Sequence, residues 1–176
     1  MNFPSHEAPL TALVYDEGLS IAEGLSDIAR AAGNAGLRVC GLIQIDEKVA
    51  GREKCDMSLL ELWSGQNIKI SDDRGAFARG CRLNHGALAQ ACVLLSSALA
   101  AGADLLILNK FGRTEVEGGG LRSVMAEALT SDVPVIIGVP RRNLAAWREF
   151  AGEYGEEVEA FKFTTALSEH SAYEFR

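Results

Sequence analysis

Positive charge is in short supply in this sequence: 17 Lys and Arg stand against 24 Asp and Glu, a formal net charge of −7. That balance argues against a nonspecific grip on DNA or on anionic lipid, so neither nucleic acid nor a membrane is an expected partner. Long apolar runs are missing too; none approaches the ~18 residues that a spanning helix needs. Met1 to Leu10 holds Pro4, His6, Glu7 and Pro9 where a signal peptide would have a basic start and an apolar core, so a cytoplasmic protein is expected. The four cysteines, at 40, 55, 81 and 92, form no C-x-x-C pair. Reduced thiols suit that compartment, and Cys40 and Cys92 sit in apolar runs as small buried side chains would. The three histidines, His6, His85 and His170, show no helix-spaced pattern. No metal site is expected, and the residues name no cofactor. Internal repeats and low-complexity linkers are absent.

What is present is a core. Hydrophobic residues make up 48% and charged residues 23% of 176, ordinary proportions for one globular unit. The expected organisation is a single α/β domain over 1–176, with 1–9 and 164–176 as peripheral tails. Leu10 to Tyr15 reads as a first strand. Ile21, Leu25, Ile28, Ala29 and Ala32 recur at helical spacing, which predicts a helix over 20–34 opened by a Ser20/Glu23 capping box. Arg38 to Ile45 reads as the second strand, and the three together make a parallel βαβ unit. Met57 to Trp63 and Asn67 to Ser71 flank Ser64-Gly65-Gln66, an inserted antiparallel hairpin. Asn84 is placed to cap a helix carrying Leu88, Cys92, Leu95 and Leu99. The alternation then resumes with a strand over Asp104 to Asn109 and a helix stripe from Leu121 to Leu129. A strand over Val133 to Val139 follows, with Pro134 near its end. A helix with Leu144, Trp147 and Ala151 is expected to be capped by Asn143, and Val158, Phe161 and Phe163 suggest an edge strand. The fold class is α/β: three layers around a mostly parallel sheet, in a P-loop or Rossmann-like layout.

In such sheets ligands gather beyond the carboxyl ends of the strands, which selects three loops. The first, 16–20, stands where a P-loop would be. Of G-x-x-x-x-G-K-[ST] it keeps only Gly18 and Ser20; Leu19 replaces the lysine, Leu13 the first glycine, and Asp16 and Glu17 would repel a triphosphate. Ordinary NTP hydrolysis is not expected there. The second loop, from Asn109 to Arg122, is the densest constellation. Gly118, Gly119 and Gly120 are expected to open a helix with free N–H groups, while Lys110, Arg113 and Arg122 bring three cations together. Asn109 would orient one ligand oxygen. Glu115 and Glu117 would pair with those cations or hold a hard metal. A solvated, salt-bridged loop is the plainer reading of the same residues. A secondary cluster gathers Arg74, Arg79, Arg82, Asn84 and His85, with Cys81 four residues before His85. Arg141 and Arg142, in the third loop, add charge.

Gly41 to Gln44 (G-L-I-Q), Gly80 to Asn84 (G-C-R-L-N) and above all Ala103 to Glu115 (A-D-L-L-I-L-N-K-F-G-R-T-E), followed by G-G-G-L-R, resemble a bacterial family, domain of unknown function 2478. The resemblance covers about 10–152. It implies a distant likeness in layout to small P-loop nucleoside triphosphatases, with Asn109 where those enzymes carry a Walker-B acid, and company with molybdate-uptake or molybdenum-enzyme genes. The combined expectation is a cytosolic protein binding a small oxyanion or phosphorylated ligand at the glycine-rich loop. Two rivals stay open: a nucleotide phosphatase with a degenerate P-loop, and a non-catalytic partner-binding scaffold. A homo-oligomer is compatible with all three.

Overall fold

The computed structural model describes residues 9–47, 56–71 and 84–160. Along the chain these form β1 (Leu10–Tyr15), α1 (Ala22–Asn34), β2 (Val39–Glu47), β3 (Asp56–Glu61) and β4 (Asn67–Lys69). Then come α2 (His85–Ala100), β5 (Leu105–Leu108), α3 (Arg113–Val116), α4 (Arg122–Thr130), β6 (Val135–Pro140), α5 (Leu144–Ala151) and β7 (Gly155–Glu159). The strands build one 7-stranded sheet in the order β4-β3-β2-β5-β6-β1-β7. β2, β5, β6, β1 and β7 run parallel, and the β3–β4 hairpin adds antiparallel strands beside β2. The α/β architecture with an inserted hairpin is therefore the fold.

β5 and β6 are buried along their whole length, as central strands covered on both faces must be. Alternate residues divide between two cores. Ala12, Leu42, Leu106, Leu108 and Ile137 meet α2, α4 and α5 on one face, while Leu13, Ile43, Leu105, Ile107 and Ile136 meet α1 on the other. Chirality explains the split. The β1-to-β2 crossover runs one way across the sheet and the later crossovers return, so right-handed connections put α1 opposite the other helices.

Three caps show where tertiary packing decides. Asn84 caps α2 as its position predicts, its Oδ1 accepting the Ala87 N–H at 2.8 Å. The Ser20/Glu23 box does not form: α1 starts at Ala22 behind Ile21, with no side-chain cap. Ile21 is buried where its Cγ2 lies over Gly138 of β6, and seating that side chain moves the helix start past Ser20. Asn143 occupies the N-cap position of α5 without capping it; its Nδ2 donates instead to the Phe111 carbonyl at 2.7 Å. β7 is an edge strand, while Phe161 and Phe163 lie outside the described residues. Among those described, no helix is long and apolar enough to cross a membrane.

Candidate functional site

The site is built where β5 leaves the sheet. Gly138 makes the exit passable, since a Cβ there would lie 2.3 Å from the Asn109 carbonyl oxygen. The Phe111 N–H then donates to the Gly138 carbonyl at 2.8 Å. The Phe111 ring is fully buried, edge-on to Trp147 at 5.5 Å and beside Phe150 at 5.7 Å. That anchor fixes Asn109 and Lys110 on one side of it and the glycine-rich loop on the other.

The loop itself differs from its sequence reading. A single helical turn, α3, forms first, and the glycines close it rather than open α4. Gly118 and Gly119 N–H groups donate back to the Glu115 and Thr114 carbonyls at 3.1 and 2.9 Å. The two glutamates also part company. Glu117 pairs with Arg113 at 2.7 Å in solvent. Glu115 is buried, and its Oε2 and Oε1 accept the N–H groups of Gly112 and Leu121, each at 2.9 Å. One carboxylate thus ties both ends of the loop together. Gly120 leaves room for it: φ is +60°, and a Cβ would lie 2.0 Å from Glu115 Oε1.

Arg122 turns away from the loop. Its guanidinium lies over the Phe150 ring at 4.9 Å and the Phe111 ring at 5.7 Å, a contact that suits a planar, weakly hydrated cation. Its Nε is buried with no hydrogen-bond partner among the described residues.

A cavity of about 440 Å³ opens at the carboxyl edge of β2 and β5. Asn109, Lys110, Arg113, Glu115, Glu117, His85 and Arg142 stand in its wall, so the structure brings these predicted polar residues to one place. Gln44 and Thr114 join them, and Leu42, Met57, Leu59, Ile70, Leu88 and Leu121 form an apolar side. Gly118, Gly119, Gly120, Arg122, Asn84 and Arg141 stand outside that lining. Arg74, Arg79, Cys81 and Arg82 lie outside the described residues. The apolar side escaped the sequence reading, although the Met57/Leu59 alternation on the hairpin was its signal.

Electrostatics separate the cations. Arg142 pairs with Glu17 at 3.0 Å, and Arg141 bridges Asp16 and Glu159, both at 2.7 Å. The first loop is thus an acidic loop held by arginines from the end of β6. Lys110, by contrast, has no carboxylate partner among the described residues. Beside it, the Asn109 Oδ1 is buried without a hydrogen-bond partner among them. Burial pushes the Tyr15 hydroxyl above its ordinary value, partly opposed by Arg142. Burial also pushes the Cys92 thiol up, helped by the Glu115 carboxylate. Cys40 is pushed up to about 12 by burial and by Glu61. Both thiols stay protonated near neutrality and are poor nucleophiles. Among the described residues no three His, Cys, Asp or Glu side chains gather as a metal would require.

The chain is 32% identical over 165 residues to the molybdenum import ATP-binding protein ModC 2 of Bradyrhizobium diazoefficiens. The alignment takes in 94% of this chain but 18% of that protein, so the chain spans less than a fifth of its relative's length. No solved structure matches. A family model described as protein of unknown function, DUF2478, matches residues 10–164, and the chain belongs to that family.

Proposed function

We propose that the cavity binds a small anionic ligand, an oxyanion or a phosphorylated molecule, with Lys110 as the charge that holds it. The observation that carries this reading is the unpaired state of Lys110. Arg30, Arg38, Arg113, Arg141, Arg142 and Arg148 all have carboxylate partners, whereas Lys110 has none among the described residues and stands in a cavity wall. A charge-assisted contact from it is worth about 1.5–3 kcal/mol. Arg142 is a reinforcement: its pair with Glu17 is exposed, and such pairs are worth only about 0–1 kcal/mol, so an incoming anion competes for it at small cost. Asn109 brings an amide NH₂ that donates to an anion oxygen, while its Oδ1, an acceptor buried without a partner among the described residues, suits a ligand O–H or N–H donor and not the anion.

In this reading Glu115, Gly118, Gly119 and Gly120 shape the loop, and Arg122 steadies the aromatic anchor under it. The net −7 opposes long-range attraction, so capture is short-ranged, within the ~8 Å Debye length of physiological salt. The relative's name concerns molybdenum import, which puts molybdate on the panel. Asp16 and Glu17, paired with arginines, make the first loop a poor seat for a triphosphate. The test is a thermal-shift panel of phosphate, sulfate, molybdate, tungstate and nucleotides. At least one anion raises the midpoint in a concentration-dependent way; a flat response to the whole panel refutes the reading.

A further inference from the structure

The two sides of the cavity say more about the ligand than its charge. We infer that the ligand is an organic phosphate with an apolar body, rather than a bare tetrahedral oxyanion; this rests on the anion-binding reading above. The inserted hairpin is what argues for it. β3 places Leu59 opposite Gln44 on β2, and Met57 accepts the Ile70 N–H at 2.9 Å. Leu59, Met57 and Ile70 therefore extend the sheet's apolar face past β2, where it meets Leu88 from the first turns of α2 and Leu121 ahead of α4. The cations in the lining come from other elements, Lys110 and Arg113 from the chain after β5 and Arg142 from the chain after β6, with Glu115 and Glu117 beside them.

A bare oxyanion offers only oxygens. Set against the hairpin side, it gives up water and meets carbon, a loss without return; drawn to the cations, it leaves the apolar side wet. A molecule apolar at one end and phosphorylated at the other fits both sides at once and removes apolar surface from water. The size agrees, since 440 Å³ falls within the roughly 300–1,000 Å³ of organic-ligand pockets. On this account the hairpin sets specificity and Lys110 sets charge selection.

Calorimetry with phenyl phosphate, inorganic phosphate and benzyl alcohol on the intact chain separates these contributions. Phenyl phosphate should bind at least tenfold tighter than inorganic phosphate. Met57→Gln should shrink that ratio at least threefold, and Met57→Leu, which keeps the apolar volume, should preserve it. Half-buried Met57 tolerates both changes better than the fully buried leucines would. Equal affinities for the two phosphates, both weakened by Lys110→Met, overturn the organic-ligand inference while the anion reading stands. Benzyl alcohol binding as tightly as phenyl phosphate, indifferent to Lys110→Met, overturns the anion reading. Binding of none of the three overturns both.

Discussion

Glu115 and Glu117 are two residues apart and chemically identical, yet the structure assigns them unequal weight. Glu115 accepts the N–H groups of Gly112 and Leu121, each at 2.9 Å, from a position only 5% exposed. Hydrogen bonds to an ionised group are worth about 1.5–3 kcal/mol each. Glu115→Gln keeps one acceptor oxygen and turns an NH₂ toward the other donor, so it should cost about 1.5–3 kcal/mol. Glu115→Ala loses both bonds, about 3–6 kcal/mol, a large share of a total stability of roughly 5–15 kcal/mol. The glutamine variant is therefore the informative one. Glu117→Gln is the control: it removes only an exposed pair whose side chains are 84% and 60% accessible, worth at most about 1 kcal/mol. Urea unfolding reads the difference as a lower midpoint at unchanged slope for Glu115→Gln. Hydrogen exchange should show the Leu121 amide losing protection in that variant alone. If Glu115→Gln costs no more than Glu117→Gln, the carboxylate does not tie the loop.

Three further outcomes follow from local geometry. Gly120→Ala puts a Cβ 2.0 Å from Glu115 Oε1 at a φ of +60° and should cost about 1–3 kcal/mol; a neutral result by thermal melt would contradict the packing around that carboxylate. Hydrogen bonds from the Arg38 side chain and N–H hold Asp104 at about 2, below its ordinary 3.8. The contribution is present above 3.8 and lost as pH falls through about 2, so Asp104→Asn should flatten the acid arm of stability between pH 4 and 2; parallel wild-type and variant curves would exclude it. Cys40, fully buried with its thiol pushed up to about 12, should resist alkylation at pH 8 in the native protein and react in urea, and native labelling at a free-thiol rate would refute its burial.

The fold was legible because its signals are long-range averages. Buried parallel strands read as apolar runs such as Leu105 to Leu108, and α1 shows a full stripe over more than three turns. The site was legible only as a neighbourhood. Asn109, Lys110 and Arg113 stand out as polar residues just past a buried strand, where ligands gather in such sheets. α3 has four residues, too few for periodicity to register, and without it the glycines look like the start of α4. Nothing local distinguishes Glu115 from Glu117, because the difference lies in which side of one short turn faces the Leu121 amide. The contacts of Arg122 and Asn143 are illegible for a related reason. Their partners, Phe150 and the Phe111 carbonyl, are 28 and 32 residues away in sequence, and no spacing rule links them.

Lys110 is proposed to hold an anion in the cavity at the carboxyl edge of β2 and β5. The most direct measurement is the calorimetric Kd of one anion, chosen as the tightest in the panel, for wild type and Lys110→Met at a single ionic strength. Losing a contact of at least 1.4 kcal/mol predicts at least tenfold weaker binding with the melting midpoint of the free protein little changed. Equal Kd values for the two proteins would contradict the claim.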